Sequence, residues 1–229
     1  MKITDIEVAL LDSMGTDLTV VNAARVSFDK ESTWDHEDHE HGDGYEYRRL
    51  VLSEKDAKLI RYLAKHNHWS PFAHTSVQLR VKAPIFVARQ LVKHQVGGVW
   101  NEVSRRYVDS EPQFWLPEQW RGRPVNAKQG SDGVVEDPVW DETARTLTSQ
   151  CLDWYNAAIA AGIAPEQARM VLPQNMMTEW YWTGSLVFWA RVCKQRLDPH
   201  AQEESAMVAR QINALIAPLY PVSWKELMA

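Results

Sequence analysis

A change of period at Pro84 constrains this chain more than any other feature. From His74 to Val81, Thr75, Val77, Leu79 and Val81 alternate with Ser76, Gln78 and Arg80, the two-residue repeat of a half-buried strand. Pro84 suits the first turn of a helix, and Ile85-Phe86-Val87-Ala88 begins one expected over about 85–95. Spacings of three and four place Gln90, Lys93 and His94 on one side of it. Gly97–Gly98 is expected to end that helix and to let the backbone approach a ligand closely. A second polar cluster follows at Asn101, Glu102, Ser104, Arg105, Arg106 and Tyr107. So many cations, amides and hydroxyls around one turn suit a phosphate-bearing small molecule.

The flanking patterns give an α+β class, with more helix than strand. Residues 3–12 read as a first strand, turning at Ser13–Gly15, and 20–28 as a short helix running on into a strand or loop. Ser53-Glu54-Lys55-Asp56 is a capping box with Asp in the Glu position, opening a helix to about His66 with Ala57, Leu59, Ile60 and Leu63 inward. A loop of extended character is expected over 96–117 and a surface excursion over 121–135. Asp137-Pro138 starts a long helix to about Ala161, stopped by Gly162. A short helix over 165–171, an aromatic strand over 176–183 and a helix from Ser185 to about Arg196 follow. The last helix is expected to begin at Pro199, with Met207, Val208, Ile212, Leu215 and Ile216 at helical spacing.

Composition narrows the function classes. The 229 residues fit one domain spanning 1–229, and a net charge of −5 argues against non-specific nucleic-acid binding. Cys151 and Cys193 stand alone without CxxC spacing, which fits a reducing compartment and disfavours zinc. MKITDIEVAL lacks a signal-peptide pattern, and no apolar run is long enough to span a bilayer, so a soluble cytoplasmic protein is expected. Most of the eleven Trp should be core, with some available to line a pocket for planar rings.

Three histidines in nine residues, His66, His68 and His74, invite a metal reading, but their spacing and lack of a nearby acid or thiol favour a ligand-facing loop. The tract Asp35-His36-Glu37-Asp38-His39-Glu40-His41 reads as a mobile solvated loop. A third polar cluster, Arg169 with Arg191, Lys194, Arg196, Asp198 and His200, has a plain alternative as helix-dipole partners. There is no dinucleotide fingerprint, P-loop or nucleophile elbow. Residue chemistry alone therefore points to an enzyme or binder for an anionic, nucleotide-like ligand and does not name the reaction.

Over nearly its whole length the chain resembles the flavin-dependent thymidylate synthases. The likeness lies in AARVSF at 23–28, the His-x-x-Pro-Phe-x-His run at 68–74, PIFVARQ at 84–90, NEVSRRY at 101–107, ARMVLPQN at 168–175 and RLDPHAQ at 196–202. The resemblance implies a family-specific mixed fold, with a central antiparallel or mixed sheet and helices. It also implies a homotetramer whose active sites are shared between subunits. The reacting set would be FAD, dUMP, methylenetetrahydrofolate and NADPH, a methyltransferase chemistry giving dTMP. No enzyme cysteine attacks the uracil in that scheme, which fits Cys151 and Cys193 lying outside the motifs.

Carried over residue by residue, the resemblance assigns dUMP binding to Gln90, Lys93, Glu102, Ser104, Arg105, Arg106, Arg169 and Arg196. Arg196 is the catalytic residue, polarising the uracil. FAD falls to Ser27, Ser70, His74, Lys93, His94, Gln95, Glu102, Ser185, Arg191 and His200, and no metal is implied. The chain departs from the family pattern where Lys93 and Gln95 replace arginines beside His94 and the run to Ser104 is one residue longer. Ala73 stands where an acid is expected, and 33–46 and 121–135 resemble insertions. The departures leave two alternatives to dUMP methylation: a flavin- and folate-dependent pyrimidine hydroxymethylation, or a catalytically silent nucleotide or flavin binder.

Overall fold

The computed structural model describes residues 1–40, 46–125 and 130–229. The chain opens with β1 (Lys2–Ile3) and β2 (Glu7–Met14), then helix α1 (Asp17–Arg25) and a 3₁₀ turn at Val26–Phe28. A hairpin of β3 (Asp35–Glu40) and β4 (Glu46–Val51) leads to α2 (Glu54–Lys65) and a 3₁₀ segment at Ser70–His74. Next come β5 (Ser76–Pro84), α3 (Ile85–Leu91) and β6 (Gly98–Glu102). Short strands β7 (Gln113–Phe114), β8 (Arg121–Gly122) and β9 (Asp132–Val134) precede α4 (Val139–Ala160) and α5 (Pro165–Ala168). The chain closes with β10 (Met177–Gly184), α6 (Leu186–Arg196), α7 (Glu203–Ile216) and α8 (Pro221–Met228).

Four strands, in the order β2-β5-β10-β6, make an antiparallel sheet, while β1 pairs with β7 in parallel. The alternation that marked β5 places Val77, Leu79, Val81 and Ala83 at full burial. On β10 it buries Trp180 and Trp182. These side chains share one core with Val20, Ile60, Trp189, Val208, Ile212 and Trp224 from the helices. Trp182 meets Phe188 and Trp189 edge-on at 5.4 and 5.0 Å, contacts worth about 0.5–1.5 kcal/mol each beyond their burial. A smaller core under α4 holds Phe114, Leu152, Tyr155 and Met176.

Pro84 is both the last residue of β5, paired with Met177, and the cap of α3. The structure shortens the helix expected over 85–95, ending it at Leu91, before Gly97–Gly98. The cause lies in the carbonyls. Gln90 O accepts from Lys93 N and from Arg196 Nη2, both at 3.4 Å, instead of from His94 N. His94 N bonds to Leu91 O, so the chain tightens into turns before β6.

Other expectations change as well. The first strand is broken at 4–6, where Gln211 from α7 bonds Val8 N and Ile6 O with its side chain and turns Ile6 inward. Part of the expected loop 96–117 is β6, a strand of the main sheet. The acidic-histidine tract is a hairpin strand rather than a loop: β3 pairs with β4 from Asp35↔Val51 to Glu40↔Glu46, and Arg48 meets Asp38 at 2.9 Å. His41 and Gly42-Asp43-Gly44 lie outside the described residues. The base of this hairpin is tied through Ser32, whose hydroxyl donates to buried Asp56 at 3.1 Å. Burial alone would raise the Asp56 pKa, but hydrogen bonds from Arg25, Ser53 and Ser32 outweigh it and hold the carboxyl below its ordinary value.

Pro199 does not start a helix. Asp198 Oδ1 accepts from His200 N at 2.8 Å, making a turn, and α7 begins only at Glu203. No helix among the described residues is long and apolar enough to cross a membrane.

Candidate functional site

Two helix ends meet beneath the sheet. Arg196 ends α6, which Ser185 starts by capping Phe188 N as β10 gives way to helix. Gln90 lies in the last turn of α3, and His94 in the turn after it. Arg196 Nε donates to His94 Nε2 at 3.0 Å, and Arg196 Nη2 donates to Gln90 O. An Nε2 that accepts must carry no proton. Burial first, then the positive charges of Arg196 and Arg191, lower the His94 pKa to about 4, so the imidazole is neutral at physiological pH. Burial also lowers the Arg196 pKa from its ordinary value.

The sign of the linkage follows. The unfolded chain binds this proton near the ordinary 6.5, and the folded chain only near 4. His94 thus contributes stability that is complete above 6.5 and fades as pH falls towards 4. In a histidine NMR titration, His94 should stay neutral from about pH 8 to about pH 5. A midpoint near the ordinary value would contradict the Arg196 contact.

Arg196 and Gln90 open onto a chamber of about 1210 Å³, which His200, Gln202 and Glu204 also line. Phe86, Trp115 and Trp120 give it aromatic walls, and the indole N–H of Trp120 is buried without a partner among the described residues. A second cleft of about 1060 Å³ lies between the 3₁₀ segment at 70–74 and the start of α6. Trp69, Ala73, Gly97, Ser185 and Arg191 are among its lining residues, and Lys194 borders both cavities. Mostly apolar walls with two cations at one side suit a flat ring carrying phosphates.

Gly97–Gly98 has two distinct physical causes. Gly97 takes φ +86°, a left-handed conformation. Gly98 pairs with Gly184 across β6 and β10, and the Phe188 ring fills the space where a Cβ on either would stand. A core side chain, and not a ligand, therefore demands the second glycine.

The expected residues fall into three groups. Gln90, Arg196 and His200 line the chamber, and His94 is bonded at its edge. Ser185 and Arg191 line the second cleft, where the Arg191 guanidinium holds Val96 O. Ser27, Ser70, His74, Lys93, Gln95, Glu102, Arg106 and Arg169 are exposed, and Ser104 and Arg105 partly so. None of these ten lines either cavity. Glu102 accepts from Thr178 Oγ1 at 2.7 Å, Arg105 donates to Ser110 O at 2.6 Å, and Arg169 donates to Glu166 O at 3.3 Å. Around them β6, an edge strand, exposes Val99, and the following loop exposes Val103 and Tyr107.

Neither thiol lines the chamber or the second cleft. Cys193 is buried, its pKa pushed up to about 12 by that burial, so it offers no thiolate nucleophile. His66 and His68 pack against Tyr62, with ring centroids 4.4 and 5.8 Å away.

Sequence reasoning missed Gln202, Glu204 and Arg121. Glu204 in the first turn of α7 looks like an ordinary dipole partner. Its burial and its ion pair with Arg121 are visible only in three dimensions.

Comparison with known proteins bears on this site. A family model described as "Thymidylate synthase complementing protein" matches residues 9–222. A flavin-dependent thymidylate synthase of Thermus thermophilus is 38% identical over 217 residues, 95% of this chain and 73% of that protein. One from Kosmotoga olearia is 34% identical over 224 residues, 96% of this chain and 89% of the relative. Among solved structures, the UMP/dUMP methylase PolB from Streptomyces cacaoi with 5-Br dUMP superposes at a TM-score of 0.81. It is 30% identical, covering 99% of this chain and 96% of that one. The same enzyme bound with 5-Br UMP gives 0.80.

Proposed function

The chain belongs to the flavin-dependent thymidylate synthases, and we propose that dUMP is methylated to dTMP in the chamber where Arg196 meets His94 and Gln90. The observation that carries this reading is the Arg196–His94 hydrogen bond at 3.0 Å. It fixes the guanidinium through Nε and leaves Nη1 without a protein partner among the described residues. A guanidinium so held can stabilise the negative charge that develops along the N3–C4=O edge of a uracil as C5 becomes nucleophilic. Neutral His94 keeps the arginine aimed without adding a competing charge. The one-carbon unit comes from methylenetetrahydrofolate to C5, which gives up its proton, and tetrahydrofolate leaves. FAD, kept reduced by NADPH, supplies the hydride when bound. The chain itself binds, orients and screens the reactants from water.

We assign the flavin to the second cleft, where the donor set fits an anionic ring-bearing ligand. Ser185 and Arg191 would hold it, with Ser70 and His74 next in the chain to its lining residues Trp69 and Ala73, whereas His94 and His200, which the family resemblance gives to the flavin, belong to the chamber. Gln95 lacks the charge of the family's arginine, and Arg191, beside Gly97, stands in for it. Arg191→Ala should weaken FAD retention about tenfold, the loss of one charge-assisted contact. Equilibrium dialysis with unchanged affinity would refute that substitution of roles. The exposed Ser27, Lys93, Gln95, Glu102, Arg106 and Arg169, with the partly exposed Ser104 and Arg105, fit a site completed by neighbouring subunits. The reading is therefore a homotetramer of single-domain chains spanning 1–229, with 33–46 and 121–135 as insertions. Two unpaired thiols and the cosubstrates fit the cytoplasm.

Mass spectrometry of the nucleotide, after incubation with dUMP, methylenetetrahydrofolate, FAD and NADPH, tests the function. A product heavier by one methyl substitution supports it. A hydroxymethylated product would make the Lys93 and Gln95 changes the cause of a different outcome, and unchanged dUMP would favour a silent binder. UMP belongs in the same assay, because the solved relative is named for both nucleotides.

A further inference from the structure

We propose that Glu204 is a positioning residue which, through Gln202, fixes the direction of the Gln90 carboxamide in the Arg196 chamber and so the groups that the nucleotide meets there. The inference rests on the nucleotide reading above and deepens it.

The direction follows from what each group can do. A carboxylate only accepts hydrogen bonds, whereas a carboxamide has a donor end and an acceptor end of nearly the same shape. Glu204 Oε1 pairs with Arg121 Nη2, and Oε2 accepts from Gln202 Nε2 at 2.9 Å. With its nitrogen committed to Glu204, Gln202 presents Oε1 to Gln90, which must answer with Nε2. The Gln90 oxygen then faces Ser205, whose buried hydroxyl donates to it at 2.9 Å. One buried charge thereby sets the polarity of two amides in series. Among the described residues, Gln90 keeps one N–H and one lone pair uncommitted, beside the arginine that holds its backbone carbonyl.

Helix-dipole stabilisation does not account for this arrangement. An exposed acid in the first turn of α7 would serve the dipole, as Glu203 does, yet Glu204 is 4% exposed. Burying a carboxylate is costly unless it is paired and hydrogen-bonded. Its guanidinium partner comes from β8, where Arg121 Nε also donates to Ser131 Oγ at 2.8 Å. Arg121 and Ser131 are thus tied to the relay that orients Gln90.

The test uses the FAD-loaded enzyme with ¹⁵N-labelled glutamine, the Gln90 side-chain signals being identified by their loss in Gln90→Leu. In the native protein that carboxamide should give two sharp, resolved proton signals that exchange slowly with solvent. Glu204→Gln can donate as well as accept, so those signals should broaden and exchange faster. Calorimetric Kd for dUMP should rise about tenfold, with kcat within about twofold, as expected for one misdirected hydrogen bond. Gln202→Leu leaves the Arg121–Glu204 pair whole and should reproduce both changes, which a merely structural role of the ion pair would not. Unchanged Gln90 signals in both variants would overturn the proposal, even if the melting temperature fell. So would altered signals with unchanged dUMP affinity. A native enzyme that bound no dUMP would count against the substrate reading instead, while the relay would still stand or fall on the amide spectrum.

Discussion

Arg196→Ala should lower kcat for dUMP methylation by about 10³-fold, or about 4 kcal/mol of transition-state stabilisation, the range seen when one preorganised charge-stabilising donor is removed. FAD retention should hardly change, because Arg196 bonds to His94 and Gln90 in the chamber and does not line the second cleft. Arg196→Lys should fall between, since an ammonium keeps the charge but cannot hold His94 Nε2 and Gln90 O together in a planar fork. Single-turnover kinetics with bound flavin monitored by absorbance separates the two effects. Near-native turnover in Arg196→Ala would remove this chamber as the reaction site. Loss of flavin with loss of turnover would show instead that the two cavities are one binding unit.

The second large effect concerns stability. Gly184→Ala should destabilise the fold by about 3 kcal/mol, at the upper end of ordinary overpacking costs. For a chain of this size that is a fall of roughly 6–12 °C in melting temperature. The added methyl would overlap the Phe188 ring, which is 1% exposed and packed edge-on against both Trp182 and Trp189. The ring cannot swing away without disturbing Trp182, which lies 6.4 Å from His94. Gly98→Ala should behave alike, since the same ring covers Gly98 from the opposite strand. Adding Phe188→Leu should recover part of the loss in Gly184→Ala. A melting temperature unchanged by Gly184→Ala would show that the ring is not held there.

Both predictions turn on residues whose importance was unequally visible in the sequence. Local signals read well where local physics decides. The alternation at 75–81, the Ser53 cap, Pro84 at a strand-to-helix junction and Ser185 before α6 each give their element, because periodicity and capping act within a few residues. Reading failed where a distant group intervened. The helix after Pro84 stops early because Arg196, 106 residues on, takes the Gln90 carbonyl. The first strand breaks because the side chain of Gln211 supplies its hydrogen bonds at Ile6 and Val8. The acidic-histidine tract, polar enough to suggest disorder, finds its strand partner in β4 and its anchor in Asp56.

By itself, then, the sequence determined the α+β class, most element positions and the family motifs, and it brought Arg196, His94 and Gln90 forward as candidates for the site. The tertiary structure alone decided that Arg196 Nε meets a neutral His94, that Gly98 and Gly184 yield their space to Phe188, and that a buried Glu204 lies behind Gln90. Periodicity and caps are properties of neighbouring residues. Hydrogen-bond direction, burial and pKa belong to groups brought together from opposite ends of the chain, so they exist only once the chain has folded.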